Sequence, residues 1–316
     1  MDTTTQIINR VLPILILIGL GAWTRSSRFL SEDTVEDLKK IAVNLALPAV
    51  LFVSFLRVEL QPAHLVLFVI IFGLCVALYG LGSWLRPRLG KGHPYFPFLM
   101  TGFEYGMLGV SLFGSAYGLE NIGIIAVVDL GHEVFIWFVF LALLLMRRDG
   151  LRGPGQLAGA FFRSPVIIAI LAGLGCNLLG LQDFLYTTPV TGAVMETLGF
   201  LSNLTVPLIL IIVGHGLKLD RAGIRAALPV IGARLAVLLP VGAFLILGVV
   251  RGLLGLGRPF EAALFTLLVL PPPFIVPLYM PAGLEDEKRY VNNVLTLYTL
   301  VTVALFSLFL ILNPQL

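Results

Sequence analysis

Residues 259–283 read PFEAALFTLLVLPPPFIVPLYMPAG. The stretch is apolar and long enough to cross a hydrocarbon core about 30 Å thick, which takes about 20 helical residues. It cannot do so as one helix. Pro271, Pro272 and Pro273 each lack an N–H, and each ring clashes with the carbonyl one turn back. Carbonyls near residues 267–270 therefore lose their partners. In lipid, irregular backbone survives only where protein or a water-filled cavity covers it. A broken crossing of this kind calls for other membrane helices packed around it.

Nine further stretches meet the length requirement: roughly 6–24, 38–56, 63–85, 96–117, 121–146, 163–180, 190–214, 223–250 and 290–312. The composition agrees, with 58% hydrophobic residues, 12% charged residues and a mean hydropathy of +0.98. A soluble domain carries about 25% charged residues. The fold class expected is an all-α polytopic membrane protein with ten transmembrane helices.

Sixteen of the 21 Lys and Arg residues fall in the gaps after the first, third, fifth, seventh and ninth stretches, beginning with Arg25, Arg28, Lys39 and Lys40. The opposite side holds four, Arg10, Arg57, Arg251 and Arg258, while Arg234 lies inside the eighth stretch. The positive-inside rule puts the richer side in the cytoplasm, so both termini should lie outside it, in a chain of the cytoplasmic (inner) membrane. The first stretch reads as a retained helix, not a cleaved signal, because no small-x-small site precedes Arg25. Cys75 and Cys176 both fall in apolar stretches, which excludes a disulfide framework, and no metal-ligand spacing exists. The net charge of +3 belongs to cytoplasmic loops and does not indicate nucleic acid. No cofactor is implied.

The halves echo each other. Pro13 to Gly21 in the first stretch resembles Pro165 to Gly175 in the sixth. Asn44 and Pro48 in the second match Asn203 and Pro207 in the seventh, each an Asn four residues before a Pro. The fourth is interrupted by Gly102, Gly106, Gly109 and Gly114, the ninth by its prolines. Five crossings per half is an odd number, so the second half should insert upside down. The expectation is a first repeat over 1–146, a cytoplasmic linker over 147–162 and an inverted second repeat over 163–316, with the broken fourth and ninth helices crossing. Inverted repeats with interrupted helices at matching positions mark secondary transporters. Free N–H groups at half-helix N-termini attract anions, and free carbonyls attract cations.

Ionisable residues inside membrane spans are functional candidates. Here they are Glu104, Asp129, His132, Glu133, Glu196, His215 and Arg234. Asp129, His132 and Glu133 stand at i, i+3 and i+4, so they share a helix face and suit a proton relay or the orientation of a polar substrate. The plainer readings are structural. Glu133 pairs with His132 or Arg234, and Arg234 sits in an ion pair. Glu196 faces water, and His215 is a loop-proximal histidine near Lys218. Asn44 and Asn203 satisfy carbonyls freed by Pro48 and Pro207, and Trp23, Trp84 and Trp137 are interface anchors or packing.

Four motifs, in order, carry a family resemblance. Asn44-Leu-Ala-Leu-Pro48 and the run to Phe52 resemble the second-helix motif of the auxin efflux carrier (PIN-like) family. Leu204 to Gly214 resembles its seventh-helix motif, and Asp129-Leu-Gly-His132 its fifth-helix Asp-Leu-Gly-Asn pattern. Phe103 to Ser111 takes the place of its fourth-helix Asn-x-Gly-Phe-x-Gly-x-Pro motif. The resemblance implies a scaffold of helices 1, 2, 6 and 7 and a transport domain of helices 3–5 and 8–10. It also implies an elevator-type movement, organic anions as cargo, and a homodimer. The departures are Glu104 for the usual Asn, Ser111 for Pro, His132 for Asn, and Ile275 where the ninth helix usually carries an Asn.

The substrate-binding candidates are Asn44, Pro48, Glu104, Gly106, Gly109, Ser111, Asn203, Pro271, Pro272 and Pro273, and the proton- or ion-coupling candidates are Glu104, Asp129, His132 and Glu133. The function expected is a secondary transporter of a small organic anion, with a cation/proton antiporter as the alternative. No paired Asp motif, zinc-type His spacing or Gly-x-Ser-x-Gly elbow points to an enzyme.

Overall fold

The computed structural model describes residues 3–58, 61–149, 163–217, 221–281 and 283–313, so most of the expected linker, residues 150–162, lies outside the described residues. Most of the described residues are helical, with no strand among them. Among the described residues, six helices are long and apolar enough to cross a bilayer. They are α2 (Glu32–Arg57), α3 (Pro62–Leu85), α6 (Leu119–Arg148), α9 (Pro189–Gly216), α10 (Gly223–Leu253) and a helix within α12 (Glu285–Leu312). α1 (Thr3–Ser26) and the shorter α7 (Pro165–Leu178) accompany them, and α8 (Gln182–Thr187) follows α7.

Local chemistry accounts for the irregular helices. Ser31 caps α2, its Oγ accepting from Thr34 N at 3.1 Å. Pro48 would clash with the carbonyl one turn back, and the preceding turn, Ala42–Ala46, is wound as a π-helix. The fourth stretch is a five-residue helix, α4 (Phe96–Met100), followed by non-helical residues 101–104 and then α5 (residues 105–117), whose first turn, Tyr105–Gly109, is again π. The ninth is α11 (Arg258–Val269), an extended run through the prolines, and a 3-10 turn, Pro277–Tyr279.

Glycines let the helices touch backbone to backbone, as packing in lipid favours. A Cβ on Gly214 of α9 would fall on the Ile18 carbonyl of α1, and one on Gly21 of α1 on the Ile211 carbonyl of α9. Two polar contacts hold the same pair: Thr24 Oγ1 lies 3.1 Å from His215 Nδ1, and Arg25 Nη1 donates to the Leu217 carbonyl at 3.0 Å. His215 stands in the last turn of α9, next to the loop as expected, but it also faces α1. At 2% exposure it is buried between α1 and α9, because Gly214 brings α1 within reach. α7 approaches α2 through Gly173, against the Phe52 carbonyl. Asn177 Nδ2 donates to the carbonyls of Phe55 (3.0 Å) and Val58 (2.7 Å) and so caps the end of α2. Gly131 of α6 meets the Phe68 carbonyl of α3, and Gly223 of α10 meets the Asn293 side chain of α12.

These contacts give a paired expectation. Gly214→Ala should destabilise the protein by about 1–3 kcal/mol, because a methyl must push α1 away. Gly199→Ala, on the same helix with nothing within 4 Å of its would-be Cβ, should be neutral or slightly stabilising. Thermal unfolding of the two variants in detergent checks it. Equal melting temperatures would contradict the close packing of α1 on α9.

Candidate functional site

The two interruptions meet. Gly102, with φ 70°, makes the turn out of α4, and a Cβ there would lie 2.7 Å from Pro273 Cγ. Glu104 N donates to the Pro271 carbonyl at 2.8 Å. In return Phe274 N donates to Glu104 Oε2, while Met107 N donates to Oε1 at 3.2 Å. One carboxylate thus joins the start of α5 to the turn beyond the prolines. A carboxylate at a helix N-terminus is favourably placed against the helix dipole.

Side chains meet several backbone groups at and beside the breaks. Thr302 Oγ1 of α12 donates to the Val269 carbonyl at 2.6 Å, and Thr101 Oγ1 to the Cys75 carbonyl at 2.6 Å. Phe103 N donates to His132 Nε2 at 2.8 Å. Arg234 Nη2, from α10, donates to the carbonyls of both Gly102 and Leu270, the latter at 3.3 Å, and Nη1 reaches Leu99 O at 3.5 Å. Its guanidinium lies between two rings, with Cζ 5.0 Å from the Phe103 centroid and 5.4 Å from that of Tyr298. Among the described residues Arg234 makes no ion pair, contrary to expectation. The side chain is 0% exposed, and among the described residues its partners are carbonyls. A five-donor fork suits converging carbonyls as well as it suits a carboxylate.

The expected face of three titratable groups on α6 divides. Asp129 Oδ1 lies 2.8 Å from His132 Nδ1. Because His132 Nε2 accepts from Phe103, the Nδ1 carries the proton and donates to Asp129. Asp129 Oδ2, fully buried, has no hydrogen-bond partner. Glu133 pairs with neither His132 nor Arg234, since its Oε2 accepts from Trp137 Nε1 at 2.8 Å. Trp137 is thus a hydrogen-bond partner one turn along the helix, in addition to any packing role.

The candidate binding residues fall into two groups. Glu104, Pro271, Pro272 and Pro273 are buried at the crossing, and Gly109 lets Leu270 approach, with Cδ1 2.8 Å from its would-be Cβ. Gly106 faces Leu47 of α2 at 3.4 Å by the same measure. Ser111 is buried but donates to the Met107 carbonyl of its own helix at 2.6 Å. Asn44 is exposed, and its Nδ2 donates to Lys40 O at 2.9 Å, not to the carbonyl freed by Pro48, which is its own. Asn203 is also exposed, and Pro48 is half-buried. Thr101, Thr302 and the Phe274 N–H went unnoticed in the sequence. An unpaired cation in an apolar span was the signal for Arg234, whereas a threonine in a membrane helix carries none.

Arg234→Met should destabilise the protein by about 2–4 kcal/mol, because the buried Gly102 and Leu270 carbonyls lose their donor, at about 1–3 kcal/mol for each group left unmade. Arg234→Lys should recover part of that loss, since an ammonium keeps the charge but lacks the planar fork. Thermal unfolding measures both. A fully stable methionine variant would contradict the bracing role.

A family model described as membrane transport protein matches residues 6–153, which include the first interruption and the Asp129–His132 pair. An uncharacterized transporter of Methanothermobacter thermautotrophicus is 30% identical over 234 residues, covering 72% of this chain and 74% of the relative. With six membrane-length helices around a buried break, and this likeness along most of its length, the chain is a multi-pass membrane transporter and belongs to the membrane transport protein (auxin efflux carrier, PIN-like) family.

Proposed function

We propose that this transporter carries a small organic anion, a carboxylate or auxin-like acid, across the cytoplasmic membrane by alternating access of the elevator type. The observation that carries the reading is the buried junction of two interrupted helices, in which Glu104 bonds to Pro271 and Phe274 across the break. Its donors, the N–H groups of Met107 and Phe274, suit a carboxylate. In this reading the chain crosses ten times as two inverted halves, 1–146 and 163–316, with the termini outside the cytoplasm. The Lys and Arg distribution supports that orientation. The scaffold would comprise α1, α2, α7 and α9. The glycine contacts of α1 with α9 and of α2 with α7 support that grouping. The moving body would comprise α3–α6 and α10–α12, and a homodimer would pair the scaffolds. Protonation of Glu104 couples uptake to protons.

One observation favours a second reading, a cation/proton antiporter: the unpartnered, fully buried Asp129 Oδ2 is a ready ligand for a cation. Thermal stabilisation by a monovalent cation that vanishes in Asp129→Asn would favour it over the anion reading.

Uptake of organic acids into proteoliposomes tests the first reading. Wild-type uptake should rise as the pH falls, and Glu104→Gln should flatten that dependence while keeping the fold. A glutamine variant whose uptake keeps the full pH dependence would contradict the role of Glu104.

A further inference from the structure

We propose that the main-chain N–H groups of Met107 and Phe274 form a seat for a single carboxylate, which Glu104 fills until the cargo's own carboxylate displaces it. The proposal rests on the organic-anion reading and names the cargo's recognised group, a compact monoanionic carboxylate with two acceptor oxygens.

The geometry separates the seat from its occupant. The two donors come from segments about 170 residues apart in sequence, and each addresses a different oxygen of one carboxylate. The main chain of Glu104 is anchored independently of its side chain. Its N–H donates to the Pro271 carbonyl, and its own carbonyl accepts from Gly109 N at 3.0 Å. Arg234 bridges Gly102 and Leu270 beside it. The side chain can therefore swing out while the crossing stays assembled and both N–H groups stay in place. The same interior holds unspent polar atoms. Tyr105 Oη and Asp129 Oδ2 are buried without hydrogen-bond partners. They are available to a ligand that brings polar atoms of its own.

Charge sets the order of events. The titratable and charged groups around Glu104 are Asp129, His132 and Glu133 on α6, Arg234 on α10, Tyr298 on α12 and the neighbouring Tyr105. Arg234 is the cation among them, and its hydrogen bonds go to carbonyls. A cargo anion seated beside an ionised Glu104 would put two negative charges a few ångströms apart in a low-dielectric interior. Glu104 therefore takes one proton from the aqueous phase that the cargo leaves, swings off as the neutral acid, and the cargo carboxylate accepts both N–H bonds. The charge of the site is unchanged, and release reverses the exchange.

The test is the melting temperature of purified protein in sodium formate against sodium chloride at equal ionic strength. In Glu104→Ala the seat is vacant, and formate should raise the melting temperature by about 2–4 °C near pH 8. Wild-type protein should not respond near pH 8 and should gain the response at about pH 5.5. Glu104→Gln, which keeps the side-chain volume without the charge, should respond at both pH values, and it carries the test if the alanine variant fails to fold. Identical melting in formate and chloride for a folded variant would overturn the seat, as would a wild-type response that is equal at both pH values. Organic-acid uptake by wild-type vesicles with no formate response in either variant would sink the seat and leave the transport reading standing. A formate response without organic-acid flux would uphold the seat and sink the transport reading.

Discussion

The structure depends on one buried cation bound to three carbonyls. Arg234 sits where two helices are interrupted side by side, and its fork joins Gly102 of one break to Leu270 of the other. The need for it begins in composition. Three prolines remove three N–H groups, and a bilayer interior offers no water to replace them. A buried unmade hydrogen bond costs about 1–3 kcal/mol, so a break with several stranded groups folds only if each finds a partner. Thr302, His132, Glu104 and Arg234 supply such partners from four other parts of the chain. The crossing is consequently a joint product of both halves of the chain.

The same arrangement explains why such a site suits transport. Broken helices present backbone donors and acceptors at depth, where charge is otherwise excluded. Here the acceptors are taken by a guanidinium and the donors by a carboxylate, so the crossing holds one basic and one acidic side chain. Around it the rigid contacts differ in kind. α1 against α9 and α2 against α7 are glycine approaches reinforced by side-chain caps at their ends, whereas the crossing is held by polar bonds that a proton or a solute can compete for.

How far the sequence revealed this follows from what each residue can and cannot do. The interruption after Val269 was legible because no arrangement of consecutive prolines continues a helix, and the glycines around Gly102 and Gly109 marked the opposite segment. The apolar runs and the chain's membrane character were equally plain. Hydrogen-bond partners were not. Arg234 was expected to seek a carboxylate, because a charge usually finds its opposite, but converging carbonyls satisfied it. The burial of His215 at its helix end was not legible, because it depends on Gly214, whose effect appears only when α1 is packed against it. Asn44 and Asn203 matched by motif yet stand exposed, since a motif records spacing and not which side of a helix is covered. Glu133 was legible as a helix-face neighbour of His132, but Trp137, one turn further on, bound it instead.

The central claim is that non-helical main chain from both interruptions is hydrogen-bonded together inside the membrane. Hydrogen–deuterium exchange of the protein in lipid nanodiscs tests it most directly. The amides of Phe103, Glu104, Met107 and Phe274, none of them inside a regular α-helix, should exchange as slowly as the interior of α6. Exchange at those four amides as fast as in the exposed turn at residues 86–92 would show that the two breaks do not meet, and the account would fall.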